Sequence, residues 1–255
     1  GPCAPRLASP PMATESERLE VSDGHDTVVL TNARNSWLVE LRVEGDDDVR
    51  RQRLLEAATQ AVMLNEGGRL EFWIENATPA SDRVPIAAGF IHYRDLWRLE
   101  RPLPAPDTDL ATRAFTPADT DAFLEVNNRA FDWHPEQGDL TPEEFSEKCA
   151  EPWFDPDGFR LLEIEDRLAG FCWTMVHTDE KQPIGEIYAI AVDPDFHGRG
   201  LGRELVLDGL GWLARQGLRH SMLYVESDNR HANRLYDKLG FQRTSINRAF
   251  QRIVR

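Results

Sequence analysis

Apolar and polar positions follow two rhythms along this chain, and the switches between them outline its elements. DTVVLTN (26–32) and SWLVELRVE (36–44) are β-rich runs, whereas residues 46–64 (DDDVRRQRLLEAATQAVML) carry helical spacing. RLEFWIE (69–75) is a strand of strong β formers, followed by a short helix at 82–88, Gly89-Phe90 and a β-rich tail, FIHYRDLWRLERPL (90–103). LPAPDTD (103–109), with two prolines in four residues, reads as a linker. Beyond it, Thr116 and Asp119 are helix-start residues for a helix over 118–130. An irregular stretch, FDWHPEQGDLTPEEF (131–145), runs into a second helix from Thr141 and then EPWFDPDG (151–158). Strands are expected at FRLLEIED (159–166), RLAGFCWTMVHT (167–178) and GEIYAIAV (185–192). A helix at 202–216, strand HSMLYVES (220–227), helix NRHANRLYDKL (229–239) and a β section over 240–254 complete the chain. Helices alternating with strands predict an α/β (α+β) fold, a mixed central sheet flanked by helices.

The two halves resemble each other. LEFWIENATPASDRVPIAAGF (70–90) and SMLYVESDNRHANRLYDKLGF (221–241) are both 21 residues long and both end in Gly-Phe. Twelve residues past each glycine stands an arginine, Arg101 and Arg252. The spacing from Val43 to Glu75 is 32 residues and that from Val192 to Glu226 is 34. Duplication explains these matches, so residues 21–105 are expected to form a worn, partial copy of the domain at 106–255.

Charge narrows the classes of partner. Among 255 residues, 29 basic and 44 acidic side chains leave a net charge of −15, which repels nucleic-acid phosphates and anionic membranes. No apolar run approaches the roughly 20 residues of a membrane-spanning helix. The three cysteines, Cys3, Cys149 and Cys172, are scattered and form no CxxC pair, so neither a disulfide framework nor a thiol metal site is expected and the cytoplasm is the expected compartment. Cys172, in Gly170-Phe-Cys-Trp, reads as a packed core residue. His134 and His177 stand alone and read as structural, so no metal is expected, and a monomer is. Residues 1–20 read as a frayed leader or non-native remnant, with Met12 the expected start.

The strongest chemical signal is GEIYAIAVDPDFHGRGLGRELV (185–206), in which a strand enters a turn at Asp193-Pro194, three glycines follow (Gly198, Gly200, Gly202), and a helix begins. Glycines let a ligand approach the backbone, and the free amides and positive end of a helix favour an anion, typically phosphate. Arg199 and Arg203 add positive charge in an acidic protein. A P-loop would need Lys-Ser/Thr after the last glycine, where Arg203-Glu204 stands. A dinucleotide fingerprint would need its glycines directly after the strand, and Asp193 to His197 intervene.

His197-Gly-Arg-Gly200-Leu-Gly202 resembles the pyrophosphate loop of the GNAT acetyltransferases, Gln/Arg-x-x-Gly-x-Gly/Ala, with His197 in place of the usual first residue. A second family signature lies downstream in Asn229-x-x-Ala232-x-x-Leu235-Tyr236-x-x-Leu239-Gly240-Phe241. The resemblance implies a GNAT fold and an acetyl-CoA-dependent N-acetyltransferase. It implies Glu186 as general base, acting through a water, and Tyr236 as proton donor to the CoA thiolate. Read as residues alone, Glu186 is a solvated carboxylate at a strand end and Tyr236 a core residue with its hydroxyl at the surface. Backbone groups of Ile190, Ala191 and Val192 would meet the pantetheine arm, and His197, Gly198, Arg199, Gly200, Leu201, Gly202 and Arg203 the pyrophosphate. Asn229 and Arg234 would contact CoA, although Asn229 is equally a helix cap.

FDWHPEQGDLT, EPWFDPDG, GEIYAIAVDP, LYVESDN and RLERPLP are similar to a tandem-domain branch of the family that acetylates the cysteinyl amine of a cysteine–glucosamine–inositol conjugate. That resemblance implies Glu136 and Tyr224 as acceptor-binding residues. The sequence departs from the branch at Met175, where a substrate-binding lysine is usual, and methionine cannot supply its charge-assisted hydrogen bond. Another amine, a protein N-terminus, or a non-catalytic acyl-CoA sensor are the alternatives. In the first half, Glu44-Gly-Asp46-Asp47-Asp48 occupies the place of the glycine loop, so that half is expected not to bind CoA but to cover a sheet edge and wall the acceptor pocket.

Overall fold

The computed structural model describes residues 18–33, 36–132, 138–178 and 182–255. They divide into two units, neither continuous in sequence: unit 1 holds residues up to Trp97 with Glu226–Asp228 and Ser245–Arg255, and unit 2 holds Arg98–Val225 with Asn229–Thr244.

In unit 1, β1 (Arg18–Asp23), β2 (Asp26–Ala33) and β3 (Ser36–Arg42) form an antiparallel run. A helix, α1 (Asp48–Leu64), crosses to β4 (Gly68–Ile74), which lies parallel to β3 and precedes a short helix, α2 (Arg83–Ala87). Helical spacing puts Leu54, Leu55, Ala58 and Val62 on one face of α1, where they bury against Val28, Leu30, Trp37 and Leu70. Residues 18–20, set aside with the leader on sequence grounds, belong to β1, whose Leu19 and Val21 pack on this core. Two apolar residues are too short a signal to stand out in a polar stretch.

The next strand, β5 (Ile91–Pro102), counts with unit 1 up to Trp97 and with unit 2 from Arg98. Unit 2 continues through β6 (Arg113–Ala114), α3 (Thr120–Ala130), α4 (Pro142–Cys149), β7 (Phe159–Ile164), β8 (Arg167–His177), β9 (Ile184–Val192), α5 (Leu201–Arg215), β10 (His220–Glu226) and α6 (Arg230–Lys238), and the chain closes with β11 (Gln242–Val254). Its strand order is β5-β10-β9-β8-β7-β6, with β6 to β9 antiparallel and β9 parallel to β10. Aromatic side chains fill one face: Phe115, Phe123, Phe145, Phe159, Phe171 and Trp173 form one cluster, with Phe159 stacked on Trp173 at 4.6 Å. The other face takes α5. Its Gly209 is forced by close approach, because a Cβ there would lie 2.4 Å from the Cys172 sulfur. Cys172 is fully buried, and burial raises its thiol pKa far above the ordinary range.

The sequence reading ends the second domain at residue 255, but Arg248–Val254 of β11 pairs antiparallel with Ile74–Gly68 of β4, inside unit 1. The two arginines at matching distances explain themselves here. Arg252 donates to the carbonyl of Ala88, just past α2, and Arg101 donates to that of Leu239, just past α6. Each satisfies a carbonyl left over at a helix C-terminus in the other half of the sequence. Among the described residues, no helix is long and apolar enough to cross a membrane.

Candidate active site

The site begins where two parallel strands stop pairing. β9 pairs with β10 at Gly185–Ser221 and Glu186–Met222, yet β9 runs on to Val192. Among the described residues its main chain beyond Glu186 has no β10 partner in that register. On its other side β9 follows β8, with one slip: Trp173 opposes Ala189, Thr174 opposes Ile187, and Tyr188 is the extra residue. Such a bulge bends the strand and turns neighbouring side chains to one face. Tyr188 and Ala189 both pack on the aromatic cluster, and Lys148 of α4 donates to the Tyr188 hydroxyl at 3.0 Å.

Gly185 and Ile187 face α5, at Leu213 and Gly209, so strand alternation turns Glu186 to the opposite face. Glu186 is only 7% exposed, and its Oε2 lies 2.6 Å from Nε2 of His177 at the end of β8. Met175, buried, is its cross-strand neighbour.

The turn after β9 is braced by charge. Buried Asp193 accepts from the amide of Asp195 at 2.9 Å and pairs with Arg129 at 2.9 Å. Arg129 and Arg167 both grip the Asp195 carboxylate, at 3.0 and 2.8 Å, and hold it below the ordinary carboxylate pKa. Phe196 is buried beneath the guanidinium groups of Arg167 and Arg199. His197 donates from Nε2 to the Val192 carbonyl at 2.9 Å, so its side chain closes the turn.

Beyond it the backbone lies bare. Gly198 and Gly200 have φ of +79° and +75°, and a Cβ on either would meet nothing within 4 Å, so glycine is needed for conformation rather than for room. The amide of His197 donates to Pro194 and that of Arg203 to Gly200, whereas the five amides between, 198 to 202, have no carbonyl partner among the described residues. They stand at the positive end of α5, a helix of 15 residues. Of the first-turn charges, Arg203 pairs with Glu204 at 2.5 Å, and Glu204 also accepts from Thr108 at 2.6 Å. A run of five donor groups with no carbonyl acceptor among the described residues suits a polyanion.

Tyr236 of α6 is buried against Phe241, and burial pushes its phenol pKa upward, so it stays protonated. Its hydroxyl has no hydrogen-bond partner among the described residues. Asn229 caps α6, its Oδ1 accepting from Ala232 at 3.1 Å, while Arg234 is exposed on the same helix. Tyr224 is half-buried on β10. Glu136 and His134 lie outside the described residues. Among the described residues no group of three His, Cys, Asp or Glu side chains could hold a metal.

Sequence reasoning missed three contributors: the Arg129–Arg167 brace, Lys148 on Tyr188, and His177 on Glu186. None carries a local motif. The nearest available hint for His177 was its two-residue offset from Met175, and this needs the β8–β9 register to become informative.

Comparison with known proteins adds to this geometry. The profile of the acetyltransferase (GNAT) family matches residues 121–241. A mycothiol acetyltransferase from Thermobispora bispora is 42% identical over 213 residues, 79% of this chain and 72% of that protein. Another from Nocardia farcinica is 40% identical over 213 residues, 79% of this chain and 70% of that one. In structure, the chain resembles a GCN5-related N-acetyltransferase from Sphaerobacter thermophilus with a TM-score of 0.69 at 22% identity, over 90% of this chain and 77% of that one. A tandem GNAT protein from clavulanic acid biosynthesis gives a TM-score of 0.67 at 15% identity, over 89% and 78% of the two chains. At such identities these two speak to the fold alone.

Proposed function

The chain belongs to the GNAT acetyltransferase family and is an acetyl-CoA-dependent N-acetyltransferase; from that premise we propose that its acceptor is the cysteinyl amine of a cysteine–glucosamine–inositol conjugate, the reaction that forms mycothiol. The acceptor assignment draws on the names of the relatives. The chemistry draws on one observation, the run of unpartnered amides at 198–202 beside the unpaired edge of β9.

In this reading the amides hold the pyrophosphate, with Arg199 alongside, and the main chain of Ile190, Ala191 and Val192 pairs with the pantetheine arm. His197 contributes by fixing the turn, and Asn229 by capping the helix that carries Tyr236, with Arg234 on its exposed side. Thioester aminolysis then needs two proton movements. Glu186 takes a proton from the amine, through a water, as nitrogen bonds to the thioester carbon. As the carbon–sulfur bond breaks, Tyr236 gives its proton to the departing thiolate. Both groups then recover their protonation states from solvent. An amide and a free thiol result, with no residue acylated. Glu136 and Tyr224 are the proposed acceptor contacts. The enzyme is proposed to act in the cytoplasm as a monomer, without a metal, and not on nucleic acid or membranes.

Met175 beside Glu186 favours a second reading, an amine whose neighbouring group is apolar rather than anionic. A thiol-release assay with acetyl-CoA and a panel of amines, the cysteinyl conjugate among them, separates the readings. The conjugate is expected to turn over fastest. Preference for a different amine overturns the acceptor, and no acceptor-dependent release at all would point to a sensor.

A further inference from the structure

Carboxylates acting as bases need a fixed direction as well as a pKa. The terminal torsion of a glutamate is broad, so an untethered carboxylate presents either oxygen over a range of angles. Glu186 is tethered at one oxygen. Its Oε2 is 2.6 Å from Nε2 of His177, with side-chain exposures of 10% and 24%. Register pairs Met175 with Glu186 and His177 with Ile184, so the imidazole reaches diagonally across the hairpin on the face that carries Glu186. Among the described residues Glu186 has no other hydrogen-bond or ion-pair partner, and its second oxygen is left without one.

We propose that His177 is a positioning residue for the acetyl transfer: it donates from Nε2 to Oε2 of Glu186 and thereby aims Oε1 at the acceptor amine or its bridging water. This inference rests on the reading of Glu186 as the base. A short, charge-assisted bond suits the task, because it fixes a carboxylate more firmly than a neutral contact does. Misplacing a reacting group by about 1 Å can cost on the order of a hundredfold in rate.

The test uses the full chain, acetyl-CoA and the best amine from the panel. His177→Leu is expected to lower kcat by tenfold or more while KM for acetyl-CoA is unchanged. His177→Gln, whose side-chain amide reaches the same distance, should restore most of that loss. His177→Asn, one methylene shorter, should not, and it replaces the leucine variant if that one fails to fold. In a Glu186→Gln background, His177→Leu should cost nothing further. Wild-type kcat in His177→Leu, equal losses in the Gln and Asn variants, or an additive loss on Glu186→Gln would each overturn the proposal. If Glu186→Gln is impaired while His177→Leu is not, only the positioning role fails. If Glu186→Gln keeps full activity, the base assignment fails and the inference goes with it.

Discussion

β3 in unit 1 and β9 in unit 2 are each followed by a loop, a helix and a parallel strand, and the residues proposed for chemistry around β9 have no like counterpart around β3. Leu38 opposes Glu71 in the parallel pairing at the point where Glu186 opposes Met222. Fifteen residues past the start of each 21-residue segment, Leu70 and Ser221, stands Pro85 in one half and Tyr236 in the other. The loops differ most. In unit 2 the N-cap of α5 is Gly200, with no side chain to cap it; in unit 1 the N-cap of α1 is Asp47, and the turn is filled by carboxylates and by the arginines of its own helix. Arg50 reaches the Glu44 carbonyl at 2.5 Å and Asp26 at 2.9 Å, and Arg51 reaches the Gly45 carbonyl at 3.1 Å and Asp46 at 2.6 Å. Asp47 caps α1 by accepting from the Arg50 amide at 3.0 Å. A helix start can stabilise itself with a carboxylate or leave its amides for a ligand, and the two halves show one choice each. The frame of strands and helices is shared, so the frame alone does not make an acetyltransferase.

The largest expected contrast is at the base. Glu186→Gln should lower kcat by roughly a hundredfold or more, in the range of general-base losses, with acetyl-CoA affinity nearly intact, whereas Leu38→Gln should leave turnover unchanged. Steady-state kinetics with both variants checks this, and an active Glu186→Gln enzyme breaks the comparison at its centre. Next comes the cradle. Arg199→Asp, which imports the charge of the first-half loop without disturbing a glycine, should weaken acetyl-CoA binding on the order of tenfold at unchanged melting temperature. Calorimetric titration then sharpens the claim that only one loop is open: one CoA per chain is expected, and two would show that Asp46–Asp48 do not exclude it. The smallest effect is in acid. Arg113 and Thr116 hold the Asp119 carboxyl down to about 2, against an ordinary value near 4. Its stabilising contribution is therefore complete above the ordinary value and lost as pH falls from about 4 toward 2. Thermal melts of Asp119→Asn should be lower than wild type at neutral pH and converge with it near pH 2; a constant gap would show that the carboxylate charge is not what stabilises.

Much of unit 2 was legible from local signals. The glycine run after GEIYAIAV, the helix start at Thr141 and the Gly-Phe ends follow from short-range rules of backbone freedom and helix termini, which act within a few residues. The fold class was therefore determined by the sequence, which also named the glycine loop and Glu186 as candidates. Three things were decided only by the tertiary structure. Ser245–Arg255 joined the first half rather than its own, because strand pairing depends on which edge is open and that is not encoded in the strand's own residues. His177 met Glu186 because a bulge at Tyr188 and the β8–β9 register set which residues share a face, and one residue of slip would have sent them apart. Arg129 and Arg167 came to brace the turn after β9 from two other elements, since a long flexible cation finds its carboxylate through space and leaves no periodic mark along the chain.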